Sequence, residues 1–216
     1  MTTTESSNRI AGWTAITSGV IGIVAFGFLI AAVGGRASGG DAHQWEIRIR
    51  THDAGLILQC LFMIPVAFAF HRFSLGSISR MNATVGVTAL SAIVLCVFPI
   101  FFNVLSDSLY MVPQGVLGIW LIVLNLRTSN VLPRGVRWLG MFAGVGLFLV
   151  SLFPIAYAIF VDTTPLFHPV PFDSDPPQAR SANAIVHVVL LIGTFMGVTT
   201  YPIWSILVGL KLVRTT

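Results

Sequence analysis

The chain has 216 residues, of which 55% belong to the apolar and aromatic set and only 9% are charged, far below the roughly 25% charged content of soluble domains. That balance excludes a water-soluble monomer. A net charge of +4 invites a nucleic-acid reading, but no basic run interleaves with aromatic residues as such a surface requires.

Six stretches contain no Asp, Glu, Lys or Arg: Ile10 to Val33, Ala54 to Phe70, Ala83 to Ser106, Ser108 to Leu126, Trp138 to Val161 and Ser181 to Leu210. Each reaches, or nearly reaches, the ~20 apolar residues of a spanning helix. The pattern predicts an all-α polytopic membrane protein with a short tail over residues 1–9 and one membrane domain over 10–213. Its six transmembrane helices form three hairpins, and a proline-rich outer loop occupies 162–184. The basic residues divide between the two sides of this layout. Arg9, Arg72, Arg80, Arg127, Arg134, Arg137, Lys211 and Arg214 share one side with Glu5. Arg36, Arg48, Arg50 and Arg180 share the other with Asp41, Glu46, Asp53, Asp107, Asp162, Asp173 and Asp175. Eight Lys or Arg against four, on short loops, place both termini in the cytoplasm of a multi-pass plasma-membrane protein. The excess positive charge then meets anionic lipid heads.

In chain order, the first span is too long for the 7–15-residue apolar core of a signal peptide and reads as a retained anchor. Gly39-Gly40-Asp41, with Gln44 three residues after Asp41, is a capping-box pattern. It starts span two outside the bilayer near Ala42 and carries it to His71. Glu46 and Arg50 are an i,i+4 pair that supports this extension, and Trp45 is an interfacial anchor. Cys60 and Cys96 fall inside spans two and three, where a disulfide has no reason to form. The last outer loop holds Pro165, Pro169, Pro171, Pro176 and Pro177. Asp175-Pro176 with Gln178 is a second helix start, so span six runs from Pro176 to about Val213 with a kink near Pro202. Gly118-Ile119-Trp120 leading to Leu126-Arg127 matches Pro202-Ile203-Trp204 leading to Leu210-Lys211, and Trp13 with Gly19 matches Trp138 with Gly144. Duplicated hairpins explain these matches, and so do the general requirements of a spanning helix.

The segments Ile119-Trp120-Leu121-Ile122, Leu132-Pro133-Arg134-Gly135-Val136-Arg137-Trp138-Leu139-Gly140 and Pro202-Ile203-Trp204 through Gly209-Leu210 resemble the domain-of-unknown-function family 4386 of bacterial polytopic membrane proteins. The resemblance covers about the second half of the chain. It implies a small bacterial membrane protein and supplies no activity, cofactor or site residue.

Chemistry has to come from polar groups within the spans. His52 and Gln59 lie seven residues apart on one helix face, Asn103 and Asp107 are an i,i+4 pair, Gln114 opens span four, and His187 lies near the outer end of span six. All fall in the outer half, whereas the inner halves are nearly pure Leu, Ile, Val, Phe and Ala. Intramembrane polar groups normally face the bundle interior. His52, Gln59, Asn103, Asp107, Gln114 and His187 are therefore expected to line an outward-facing chamber that binds or passes a small molecule, or that serves a membrane partner. The plain alternative is interhelical hydrogen bonding that only holds the bundle together. A metal-dependent membrane enzyme using His52, Asp53 and His187 is the competing reading, and two histidines could serve one haem. No HxxxH, HExxH or GxSxG spacing supports either a metalloenzyme or a serine nucleophile. The cofactor and the oligomeric state are left open by the residues.

The charge asymmetry generates a topological prediction. A reporter active only in the cytoplasm gives signal when fused to Thr216 or inserted at Ser129, and none when placed after Ser174. Signal from the Ser174 fusion would reverse the orientation.

Overall fold

The structure is a computed structural model that describes residues 3–73, 77–101, 109–128, 130–161 and 181–214, and among the described residues all regular structure is helical. Among the described residues seven helices follow one another: α1 (Thr3–Ala37), α2 (Ala42–Phe73), α3 (Ser77–Phe101), α4 (Met111–Arg127), α5 (Arg134–Phe160), α6 (Ser181–Met196) and α7 (Thr200–Arg214). Four apolar stretches among these residues are long enough to cross a membrane: Ser6–Arg36, Ala42–Phe70, Arg134–Phe160 and Ala184–Arg214. The shortest of these, at 27 residues, is about 40 Å long. Ala83–Phe98 and Met111–Arg127 are apolar but shorter. Ile10, Trp13, Val24 and Val33 of α1, Leu95 and Phe98 of α3, and Leu191 and Phe195 of α6 are each more than half exposed. So apolar a surface is a liability in water and the normal outer face of a helix in hydrocarbon.

Helix is present from Thr3, inside the segment read as a tail, because nothing before Ile10 breaks a helix, and from Ser181, past the start read at Pro176. The start signal at Asp175 and Pro176 lies outside the described residues.

The α1–α2 joint is built from local chemistry. Gly39 takes the positive φ of 72° that closes α1, with Gly40 N–H on the Gly35 carbonyl (2.8 Å) and Gly39 N–H on the Arg36 carbonyl (3.2 Å). These two bonds form a Schellman cap. Asp41 then accepts the His43 N–H on Oδ1 (3.3 Å), and α2 starts at Ala42 as its sequence implies. The reciprocal half of the capping box is absent, since Gln44 Oε1 accepts Arg48 Nη2 instead (3.3 Å). Glu46 and Arg50 pair at 2.6 Å. The Arg36 guanidinium lies over the Trp45 ring at 5.8 Å.

Helices adjacent in sequence pack against each other from α1 to α6, and α7 returns to α1 and α5. The arrangement is a closed ring. Antiparallel neighbours meet at glycines: Gly12 of α1 on Gly209 of α7, Gly118 of α4 on Gly144 of α5, and Gly146 of α5 on Gly197 at the end of α6. A Cβ on any of these would strike the facing backbone, so the absence of side chains is what lets the helices approach. The α1–α7 and α5–α4 pairs share one contact register. Gly19 meets the Pro202 carbonyl and Ile206, as Gly144 meets the Gly118 carbonyl and Ile122. Trp204 lies against Gly140 as Trp120 lies against Gly86. The Trp–Gly matches read in the sequence thus correspond to equivalent contacts.

Span six is divided. The chain turns over Gly197–Thr199, before Pro202 rather than at it. Pro202 has no N–H, and its ring excludes the carbonyl of Val198 from a helical position. The ladder widens there, with Thr199 N–H reaching back five residues to the Thr194 carbonyl (3.3 Å). The hydroxyls of Thr199 and Thr200 donate to the carbonyls of Phe195 and Met196.

Glycine contacts of this kind are testable by overpacking. Gly118→Val and Gly146→Val should each destabilise the protein by about 1–3 kcal/mol or prevent folding. Gly27→Ala, where nothing lies within 4 Å of the new Cβ, should be neutral or slightly stabilising. Thermal unfolding in micelles measures the contrast, and equal effects at all three positions would contradict it.

Candidate functional site

His52 and Asp53 of α2 are 5% and 3% exposed, and His52 Nδ1 lies 2.9 Å from Asp53 Oδ1. With Asp53 as a carboxylate, which can only accept, Nδ1–H is the donor of this contact. The imidazole faces Tyr110, the residue that precedes α4, with ring centroids 6.4 Å apart and planes tilted by 46°. One turn into α4, Gln114 is 5% exposed, and its Oε1 has no hydrogen-bond partner among the described residues. His52, Asp53 and Tyr110 therefore form a buried polar group beside the start of α4. Burial of a carboxylate among apolar helices is costly unless hydrogen bonds hold it, and the His52 contact supplies one.

Gln59 does not join this group. It lies two turns farther along α2, about 10 Å deeper, with its amide set over Gly22 of α1, where a Cβ would collide with it. Ser18 Oγ donates to the Gln59 carbonyl at 2.9 Å, while Gln59 Nε2 has no partner among the described residues. Helical periodicity places His52 and Gln59 on one face. The gap at Gly22 then draws the longer side chain toward α1.

His187 is exposed and packs edge-on against two rings of α5, Phe153 at 5.5 Å and Tyr157 at 6.0 Å between centroids. It belongs with α5 because α6 packs on α5 and not on α2. The expected convergence of His187 with His52 and Gln59 stays an expectation beside this contact with α5. Asn103 and Asp107 lie outside the described residues. Among the described residues no three His, Cys, Asp or Glu side chains are grouped to hold a metal ion, so His52, Asp53 and His187 are not assembled as one ligand set. Cys60 and Cys96 are free thiols.

A second polar cluster escaped the sequence reading, which treated the inner halves of the helices as apolar. Asn125 of α4 is fully buried. Its Oδ1 accepts Trp204 Nε1 (3.2 Å), its Nδ2 donates to the Leu121 carbonyl (2.8 Å), and its own carbonyl accepts Arg137 Nε (2.9 Å). Gly140 leaves the space in which Asn125 and Trp204 meet, since a Cβ there would strike both. The cluster ties α4, α5 and α7 together. Asn125 lies two residues before Arg127 at a helix end, which is the signal that could have found it. Trp120 Nε1 is buried without a hydrogen-bond partner among the described residues.

No family model, curated protein or solved structure matches the chain. Arg137, Gly140 and Trp204 meet around Asn125, where they fasten α4, α5 and α7 together.

The two amides should respond differently to an apolar replacement. Asn125→Leu strands the Trp204 indole N–H and should cost about 1–2 kcal/mol. Gln59→Leu removes an unpartnered buried donor and should leave stability unchanged or raise it. Unfolding midpoints in the same detergent test the order, and a larger loss from Gln59→Leu would reverse the assignment.

Proposed function

We propose that the protein is a six-span integral membrane protein, arranged as three hairpins with both termini in the cytoplasm, that binds a small molecule from the outer side. The plasma membrane is the membrane proposed, and the Lys and Arg asymmetry supports the orientation. The observation that carries the reading is the buried His52–Asp53 pair at 2.9 Å. A carboxylate–imidazole contact in a chain this poor in charge is expensive to insert, and such groups mark ligand or ion sites in membrane proteins. Tyr110 extends the site by an aromatic ring. In the proposed orientation the Asn125–Trp204–Arg137 cluster lies toward the cytoplasm and closes the inner end, so access is from outside. Binding followed by passage, or binding alone, are the two forms this reading takes.

Native mass spectrometry of the full chain purified in mild detergent tests it. The wild type should carry a non-lipid mass that is lost in His52→Leu and kept in Gln59→Leu. Loss of that mass in Gln59→Leu with retention in His52→Leu, or its absence from the wild type, would count against a small-molecule site at the pair. A mass equal to zinc or iron would favour the metal-dependent alternative.

A further inference from the structure

We propose that a groove between α1 and α2 seats one acyl chain of an anionic glycerophospholipid, whose phosphate is held at the groove's mouth by Arg9. The groove is a cavity of about 440 Å³, and its lining includes Ser6, Ser7 and Ile10 of α1 with Ile64, Phe68 and Ala69 of α2. Short side chains leave the space at Ser6, Ser7 and Ala69, while Ile10 and Phe68 stand more than half exposed beside it. The groove thus opens on the surface that faces hydrocarbon. Its volume takes about fifteen groups of the size of a water molecule, roughly 30 Å³ each, and a methylene is of that size.

The length of the groove follows from the helix register. α1 and α2 run antiparallel, with the Gln59 amide on Gly22 and Gly55 on Ala25. Counted from the Gly22–Gln59 level, Ser6 is about 24 Å toward the end of the bundle and Ile64 about 8 Å in the same direction. The groove therefore runs about 16 Å, close to one leaflet of a hydrocarbon core about 30 Å thick. Its mouth lies at the end where α7 finishes, because Gly12 meets Gly209, and that end is basic. Arg9 is exposed one turn after Ser6, and Arg72 holds the next position of the α2 register that passes through Pro65, Phe68 and Ala69. Against them stands Glu5 at the start of α1, and α2 has no acidic residue after Asp53. A phosphodiester supplies the opposite charge in the form arginine binds best. A zwitterionic head would bring an ammonium to the same cations, and a second copy in the same orientation would bring the same basic end.

Titrating dioleoyl phosphatidylglycerol or dioleoyl phosphatidylcholine into the full chain in mild detergent, with bound lipid read by native mass spectrometry, tests the site. The wild type should bind one phosphatidylglycerol about tenfold more tightly than phosphatidylcholine. Arg9→Gln should weaken that binding about fivefold, whereas Arg134→Gln, which removes a cation at the start of α5 and away from the groove, should leave it unchanged. Ser6→Phe and Ser7→Phe fill the groove and should each abolish the tight lipid. Ser6 is exposed, so its replacement carries the test even where Ser7→Phe fails to fold. Equal affinities for the two lipids, equal losses from Arg9→Gln and Arg134→Gln, or undiminished binding in the Phe variants would overturn the proposal. A dimer whose formation expels the lipid would overturn it too, and would assign the groove to a second copy of the chain.

Discussion

Backbone-to-backbone approach at glycine is the constraint on which the rest of the structure depends. In hydrocarbon, apolar side chains gain little by meeting each other, so helices associate by close packing and by interhelical hydrogen bonds. Gly12 with Gly209, Gly118 with Gly144 and Gly146 with Gly197 bring three helix pairs to that distance. The remaining specific contacts fit into notches of the same kind: Trp120 at Gly86, Trp204 at Gly140 and the Gln59 amide at Gly22. Closing the ring is what places the polar face of α2 inside it, with His52 and Asp53 buried.

The two buried polar clusters differ in how completely they satisfy themselves. Around Asn125, Oδ1, Nδ2 and the backbone carbonyl each have a partner, as expected of a group whose role is to fix helices. The His52–Asp53 pair has one hydrogen bond, between its own members, among the described residues.

How much of this was legible in the sequence follows from the range of each interaction. Helix starts and ends depend on a few adjacent residues, so the start of α2 at Ala42 after Asp41 and the Glu46–Arg50 pair could be read directly. The break before Pro202 was read to within a turn, because the ring's clash falls four residues upstream of the proline itself. Direction within the bundle was less accessible. Periodicity gives the angle between His52 and Gln59 but not which neighbouring helix has a gap, and Gly22 decides that. Likewise nothing near His187 in sequence says that α6 rests on α5. Asn125 was hidden because a single amide two residues from Arg127 looks like an interfacial residue until Trp204 and Gly140 arrive from distant segments. The Trp–Gly repeats were visible as spacing, and their meaning as equivalent helix contacts needed the fold.

The central claim is that His52 Nδ1–H is hydrogen-bonded to Asp53 Oδ1 inside the helix ring. Nitrogen-15 NMR of histidine-labelled protein in bilayers reads this directly, with the His52 signals identified by their loss in His52→Gln. The expected spectrum has a protonated, hydrogen-bonded Nδ1 whose shift moves when Asp53 is replaced by Asn. A bare Nδ1, or an imidazole averaging freely between tautomers and indifferent to Asp53→Asn, would contradict the account.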